Sequence, residues 1–465
     1  MSDVTYDVLV IGGGIAGMTA ASRAAELGKK VVVLEKGSEE KYPSNTRFTY
    51  GTLHINFNSP MTGEAKLLDL IESATEGYAR KDLALTLVKA APRLMDWLGA
   101  EGIKLIGLGQ YHTHVLSPVQ RTGAGLFWDG YAGDVTLQTL EANLKKRGGA
   151  LLRGTKALAL KPGNPVTVEA EQAQGKVTFR AHAVIIADGG FQANPDMVRE
   201  FISPAPDKLC QRHGRTATGD GLKMAKAVGA VSSKEMGNFY GHLHAREAMT
   251  NPKLWPRPQA DDLAAAGIVI DASGKRIADE SYGGIYLSNA IARLPDPLGT
   301  IVIFDHAIWD GPPGRGHAQP PNPLIPDNGG TVHRADTLAE LAPKTGLTPK
   351  QLEDVVASYN KAIETNSLDK LSPPRGATRA KVWPITTAPF YAIPLCTAIT
   401  NTMGGIAVDG DCRVIDAAGK PIPGLYAAGS TVGGLDGGPH SGYVGGLIKS
   451  ALGLRAAEVI AGFAP

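Results

Sequence analysis

The hydrophobic pattern of the chain changes period several times, and each change marks an element. Residues 8–11 are a continuous apolar run, as expected of a strand buried on both faces. Residues 15–27 are small and largely apolar, which predicts a helix that can lie close to its neighbours. Residues 31–34 (Val-Val-Val-Leu) form a second buried strand. Residues 83–99 carry an amphipathic helical pattern, and 133–147 read as another helix. Strands are expected across 150–171, folded about the Pro162-Gly163 turn. Two more short, glycine-bounded apolar runs, within 181–191 and 421–434, have the composition of central parallel strands; a helix-like run follows at 445–461. Between roughly 240 and 390 the pattern loosens. Most prolines and tryptophans fall there, with strands expected at 267–271 and 300–305 and a helix at 348–364. Segment 310–330 reads as loop, partly disordered.

Glycines sharpen the first unit. Gly12, Gly14 and Gly17 stand at G-x-G-x-x-G spacing between the first strand and the small-residue helix, and the second strand ends at Glu35. Gly12 permits a tight turn, Gly14 lets backbone approach a pyrophosphate, and Gly17 lets the helix lie against the strand. The helix N-terminus then faces the phosphate charge, and Glu35 can accept hydrogen bonds from ribose hydroxyls. The fold class that follows is α/β: a Rossmann-like dinucleotide-binding domain, split in sequence, with an inserted α+β cap. The expected boundaries are 1–239 for its first part, 240–390 for the cap or substrate domain, and 391–465 for its second part.

Bulk properties narrow the field. The chain has 465 residues, 43% hydrophobic and 20% charged, with a formal net charge of +2. That balance offers no electrostatic case for nucleic acid. The three cysteines form no C-x-x-C pair, which argues against a disulfide framework, an iron–sulfur site or a redox dithiol. No apolar stretch approaches the ~20 residues that span a bilayer. The first strand follows the N-terminus so directly that no signal peptide is expected, and the expected compartment is the cytoplasm.

Five motifs, IGGGIAG at the start, ADGGF at 187–191, TGDGLKMAKAVGA at 218–230, GKRIADE at 274–280, and TMGGIAVD with GLYAAGS at 402–409 and 424–430, together resemble the fumarate reductase/succinate dehydrogenase flavoprotein superfamily. Within it the chain looks most similar to tricarballylate dehydrogenase and the 3-ketosteroid dehydrogenases. The resemblance implies FAD rather than NAD, and the chain has one G-x-G-x-x-G and no second copy for a nicotinamide. It implies cofactor contacts from Gly12, Gly14, Ile15, Ala16, Gly17, Glu35, Lys36, Asp188, Gly189, Asp220, Gly429, Ser430, Gly445 and Gly446. Ser44, Asn45 and Thr46 are donors to phosphate or flavin, or else an ordinary polar loop. Asp220 holds a turn near the flavin or a turn alone. Ser430 stands where many relatives carry an acid beside the ribityl chain. Relatives with covalent flavin use a histidine in the segment after the ribose-binding acid; residues 41–51 contain none, so FAD is expected to be non-covalent, with His54 the nearest alternative.

Desaturation beside a carbonyl needs one group to polarise the oxygen and another to remove the adjacent proton while hydride moves to the flavin. Fumarate reductases place an arginine shortly after GKR-x-x-x-E, a histidine before TMGG and an arginine in the glycine-rich loop after GLYAAGE. This chain has none of the three at those places. The resemblance to the steroid enzymes instead implies Tyr443 as donor to the substrate carbonyl, with a backbone N–H near Gly446, and Tyr282 as the proton-abstracting base. His440 in the same loop binds a carboxylate, relays a proton, or is an exposed loop residue. Tyr240, His242 and His244 share a strand face and read as substrate pocket or structure; their spacing is also metal-like, but no third ligand pattern accompanies it, so no metal is expected. Arg276 and Glu280 read as cap-holding residues. Arg47 and Arg121 are anion-binding candidates, with solvated surface as the plainer reading. The function expected is an FAD-dependent dehydrogenase acting α,β to a ketone or carboxylate, a ketone being favoured, with an external electron acceptor. An ene-reductase running the same pocket backwards is the alternative, and a non-catalytic flavoprotein the third reading. Oligomeric state is left open.

Overall fold

A computed structural model describes residues 4–108, 113–119, 124–234, 236–316, 318–377 and 380–463. Arg121 lies outside them. The apolar runs at the start become strand Thr5–Ile11, helix Ile15–Glu26 and strand Val31–Leu34. Both strands lie in the centre of a sheet whose parallel neighbours run Pro421–Ala427, Gly175–Ile186, Thr5–Ile11, Val31–Leu34 and Ala150–Leu152. Strand Pro421–Ala427, distant in sequence, is thus separated from the first strand only by Gly175–Ile186. The hairpin Lys156–Lys161 with Val166–Gln172 pairs antiparallel onto the early half of Gly175–Ile186.

The opening helix explains its small residues. Ala20, Ala21 and Ala24 have no exposure, and the helix packs against the closing helix Ser450–Ala461. A Cβ on Gly453 would lie 2.3 Å from the carbonyl oxygen of Ala16, so the two backbones touch. Anything larger at this crossing would prise the helices apart.

A second sheet is built on the long strand Phe390–Thr402. Strands Phe239–Ala245, Ile301–Asp305 and His333–Ala335 pair with it antiparallel, and Cys210–Gln211 parallel. Its early half carries one apolar core, from Leu243 to Leu395; the other core gathers residues up to Phe239 and from Ile399 on, with Ala292. The long strand, which runs to Thr402, therefore connects both cores. Glu280, with no exposure, binds Arg276 through Nε at 3.0 Å and Arg375 through Nη1 at 2.9 Å, and this buried cluster pins the turn Glu280–Tyr282.

Segment 310–330 departs from the loop expectation: it contains the short helix Pro312–Arg315 and the helical stretch Pro321–Asp327, which is broken at Asn322 (φ −101°, ψ 111°). Proline at the first helical turn costs no hydrogen bond and presets φ, so its prolines start helices. Helix Pro349–Glu364 begins with a capping box between Thr348 and Gln351.

Candidate functional site: a cofactor cradle opening onto a polar pocket

A cavity of about 770 Å³ runs from the glycine turn to the second sheet, at the upper end of the range for small-molecule and cofactor sites. At its first end Gly12 has φ +106°, and a Cβ there would meet the Ala187 carbonyl at 2.5 Å. Gly17 would carry a Cβ 2.0 Å from the Gly12 carbonyl oxygen. Both must be glycine for strand, turn and helix to nest. Glu35 is buried and already aimed: its carboxylate accepts from Gly13 N at 2.8 Å and from Gly37 N at 2.7 Å. Burial pushes its pKa up despite those bonds. Thr46 Oγ1 accepts from Ile15 N at 2.9 Å, and Tyr42 donates to Gly13 O at 2.7 Å, which fixes the turn from above.

Most of the expected cofactor residues line this cavity: Gly12, Gly14, Ile15, Ala16, Glu35, Lys36, Ser44, Asn45, Thr46, Asp188, Gly189, Asp220, Gly429, Ser430 and Gly446. Gly17 and Gly445 stand behind the lining; a Cβ at Gly445 would meet the His54 carbonyl at 2.5 Å. Lys36 and Asp220 are engaged with each other at 3.0 Å. Asn45 accepts from Gly214 N and donates to Thr400 O at 2.8 Å. Beside the cradle, the buried wall atoms Ser44 Oγ and Asp188 Oδ1 lack a protein partner. Asp188 is so enclosed that its pKa rises to about 6. Unpaired polar atoms around a glycine cradle, with a preformed acid at Glu35, fit a dinucleotide.

The far end is where substrate chemistry can occur. Tyr443 stacks face to face on Tyr240, ring centroids 3.8 Å apart at 12°. Its phenol oxygen lies beside Gly446, 2.9 Å from where a Cβ would stand. Asp436 holds this loop from below: it accepts from Val444 N at 2.6 Å and pairs with Lys449, all of it buried. Tyr240 bonds His242 Nε2 at 2.8 Å, and His242 Nδ1 meets Asp261 Oδ2 at 2.5 Å. Burial lowers the His242 pKa to about 4 in spite of Asp261. His244 lies outside the lining, bonded to Pro258 O.

Tyr282 and His440, the other catalytic candidates, do not line the cavity. Their rings stack on each other at 3.5 Å, and His440 Nδ1 bonds Glu76 Oε1 at 2.7 Å. The buried Glu280 anchors the turn so that Tyr282 faces the loop histidine instead of the pocket. Arg47 is no anion site either: it is 2% exposed, bound to Asp134 at 2.8 Å and to Tyr42 O at 2.7 Å. Besides Lys36 and Lys156, the cavity lining includes Arg212 and Arg257, which sequence reading missed. Arg212 reaches Thr400 Oγ1 at 2.7 Å, while its buried Nε has no partner. Arg257 pairs with Gln259, whose Nε2 is also unpaired. Among the described residues, no cluster of His, Cys, Asp and Glu is arranged to hold a metal ion, and no helix is long and apolar enough to cross a membrane.

Cradle, preformed acid and adjoining polar pocket define a flavin-dependent class of protein. A model of the FAD binding domain matches residues 7–442, and the chain belongs to that family, within the fumarate reductase/succinate dehydrogenase flavoprotein superfamily, with FAD as its cofactor. It is 27% identical over 454 residues to an NADH:fumarate oxidoreductase of Klebsiella pneumoniae (strain 342), covering 94% of this chain and 46% of that one. It is 26% identical over 519 residues to the 4-oxocyclohexanecarboxylate 2-dehydrogenase of Sinomonas cyclohexanicum, covering 92% and 87%. The fold is similar to 3-ketosteroid-Δ4-(5α)-dehydrogenase of Rhodococcus jostii RHA1 solved with 4-androstene-3,17-dione, with TM-score 0.72, 21% identity, and 99% and 97% coverage. The chain spans about half the length of the first curated relatives it matches.

Proposed function

We propose that the protein is an FAD-dependent dehydrogenase of the CH–CH bond α,β to a carbonyl, acting on a substrate that also carries a carboxylate. Run backwards, the same pocket is an ene-reductase. The observation that carries the reading is Tyr443, a buried phenol beside Gly446 at the junction of cradle and pocket. Bound FAD supplies a two-electron hydride site. Tyr443 donates to the carbonyl oxygen and, with the Gly446 backbone beside it, stabilises the charge that develops there as the α-proton leaves. Arg212 and Arg257 take the carboxylate, and the unpaired Nε of Arg212 is part of that fork. The arginines and histidine of dicarboxylate enzymes are missing from their usual places, yet the pocket regains two guanidiniums from elsewhere, so a wholly neutral ketone fits less well than a keto acid. The Sinomonas relative is named for such a compound. FAD is held without a covalent bond: residues 41–51, the segment in which covalent relatives carry a histidine, contain none, and Asn45 there is committed to Gly214 and Thr400. Electrons leave to an external acceptor.

Anaerobic titration tests the reading. Oxidised protein should bleach with 4-oxocyclohexanecarboxylate or a related saturated keto acid, and Tyr443→Phe should keep FAD while slowing bleaching by ~100-fold or more. Reoxidation of dithionite-reduced protein by unsaturated acids, without bleaching by any saturated one, assigns the reductase direction. Silence toward both sets overturns the proposal.

A further inference from the structure

With Tyr282 outside the cavity, the reaction proposed above lacks a proton-transfer group. We propose that Tyr240 is that group, and that His242 and Asp261 form a relay positioning and recharging it. The inference rests on that reading of the reaction. All three side chains line the cavity. Their bonds are sequential: Tyr240 O to His242 Nε2 at 2.8 Å, His242 Nδ1 to Asp261 Oδ2 at 2.5 Å. Asp261 is held by a further bond, accepting from Leu243 N at 2.7 Å through Oδ1. A carboxylate facing Nδ1 puts the imidazole proton there, so Nε2 is a lone pair and Tyr240 must donate to it.

Space is reserved for this arrangement. A Cβ on Gly284 would stand 2.0 Å from Asp261 Cγ, so the relay carboxylate occupies the room a side chain would need there. The strand supplies the rest: Tyr240 and His242 are two residues apart, and T-shaped ring contact at 4.9 Å keeps them on one face. Parallel stacking of Tyr240 on Tyr443 sets two phenols side by side on one wall, so the oxygen that holds the carbonyl and the oxygen that takes the neighbouring proton serve one ligand. Burial raises the Tyr240 pKa, and the charges of Arg212 and Arg257 offset part of that rise by favouring its ionised form.

The proton step balances. The α C–H bond breaks and its proton forms a new O–H bond on Tyr240. The phenolic proton that Tyr240 already carries passes to His242 Nε2. The C–H electron pair stays with the substrate as an enolate under Tyr443, and the imidazole becomes imidazolium against Asp261. In reverse, the relay returns the proton to carbon. His242 and Asp261 are positioning residues; Tyr240 touches the reacting atom.

The test reads proton exchange rather than turnover alone. Oxidised holoenzyme in D2O with 4-oxocyclohexanecarboxylate should exchange α-hydrogen, followed by NMR. Tyr240→Phe should lower that rate by ~100-fold or more, and His242→Gln and Asp261→Asn by ~10-fold or more, with probe affinity, read from the flavin spectrum, changed less than about threefold. A second readout needs no ligand: the His242 Nδ1 proton should resonate far downfield, vanish in Asp261→Asn and shift in Tyr240→Phe. Exchange untouched in Tyr240→Phe, or lost instead in Tyr282→Phe, overturns the relay. If no keto acid bleaches or exchanges in the wild type, the proposed reaction falls, and the resonance alone decides the relay: its absence, or its indifference to Tyr240→Phe, overturns it.

Discussion

A guanidinium buried with an open donor is costly unless something anionic meets it, and Arg212 is such a group. Burial pulls its pKa down, the direction expected for a cation kept from water. Arg212→Ala should therefore weaken binding of 4-oxocyclohexanecarboxylate by roughly 10–100-fold, the range for losing a charged hydrogen bond, while FAD content stays at wild-type level; equal affinity in a flavin-perturbation titration would remove the carboxylate from the proposed substrate. Glu280 presents the opposite case. It neutralises Arg276 and Arg375 without any exposure of its own. Glu280→Gln leaves two buried guanidiniums facing a neutral amide and should cost about 3–5 kcal/mol, read as a fall in the urea midpoint. These two arginine settings show what a sequence can disclose. Glu280 and Arg276 sit four residues apart in GKRIADE and were legible as a structural pair. Arg212 enters the pocket because the short strand Cys210–Gln211 pairs with Ala398 and Ile399, nearly two hundred residues away, and no local spacing announces that.

At the level of elements, local chemistry decides legibility. The opening strand–helix–strand unit could be read residue by residue because its glycines do nearby work. Gly17→Ala tests this: a methyl 2.0 Å from the Gly12 carbonyl must push helix from turn. Overpacking of this kind costs about 1–3 kcal/mol, so FAD affinity should drop roughly 10–100-fold, measured by flavin release on dilution; full retention would show that the helix shifts freely. The proline-rich stretch misled for an equally local reason, since prolines at N1 begin helices as readily as they end them. Tyr282 shows a different limit. Its motif was readable, but which way a side chain leaves a turn depends on what anchors that turn, and here a buried acid does. Asp261 gave no signal, because only the bond from Leu243 N and the bare backbone at Gly284 bring it to His242.

At the scale of the whole molecule, buried histidines set the acid limit. His54, His213 and His242 have pKa values lowered to about 4, and His244 to about 3, each chiefly by burial. An unfolded chain takes up protons at these positions near pH ~6.5 and the folded one does not, so stability is full above that pH and declines as pH falls toward 4. The denaturation midpoint should be level from pH 7 to 8 and fall steadily below 6.5; a flat profile down to pH 5 would show that these rings are protonated in the native state. A change of composition marks the middle segment in the sequence. What composition could not show is that one strand, Phe390–Thr402, belongs to both cores. The interleaving also has a temporal side. Strand Pro421–Ala427 and the helix that presses on Ala16 are made after every strand of the middle sheet. On the ribosome, strand Gly175–Ile186 therefore emerges long before its neighbour Pro421–Ala427, and the opening helix long before the helix that covers it, so both keep a bare face until those late segments are made.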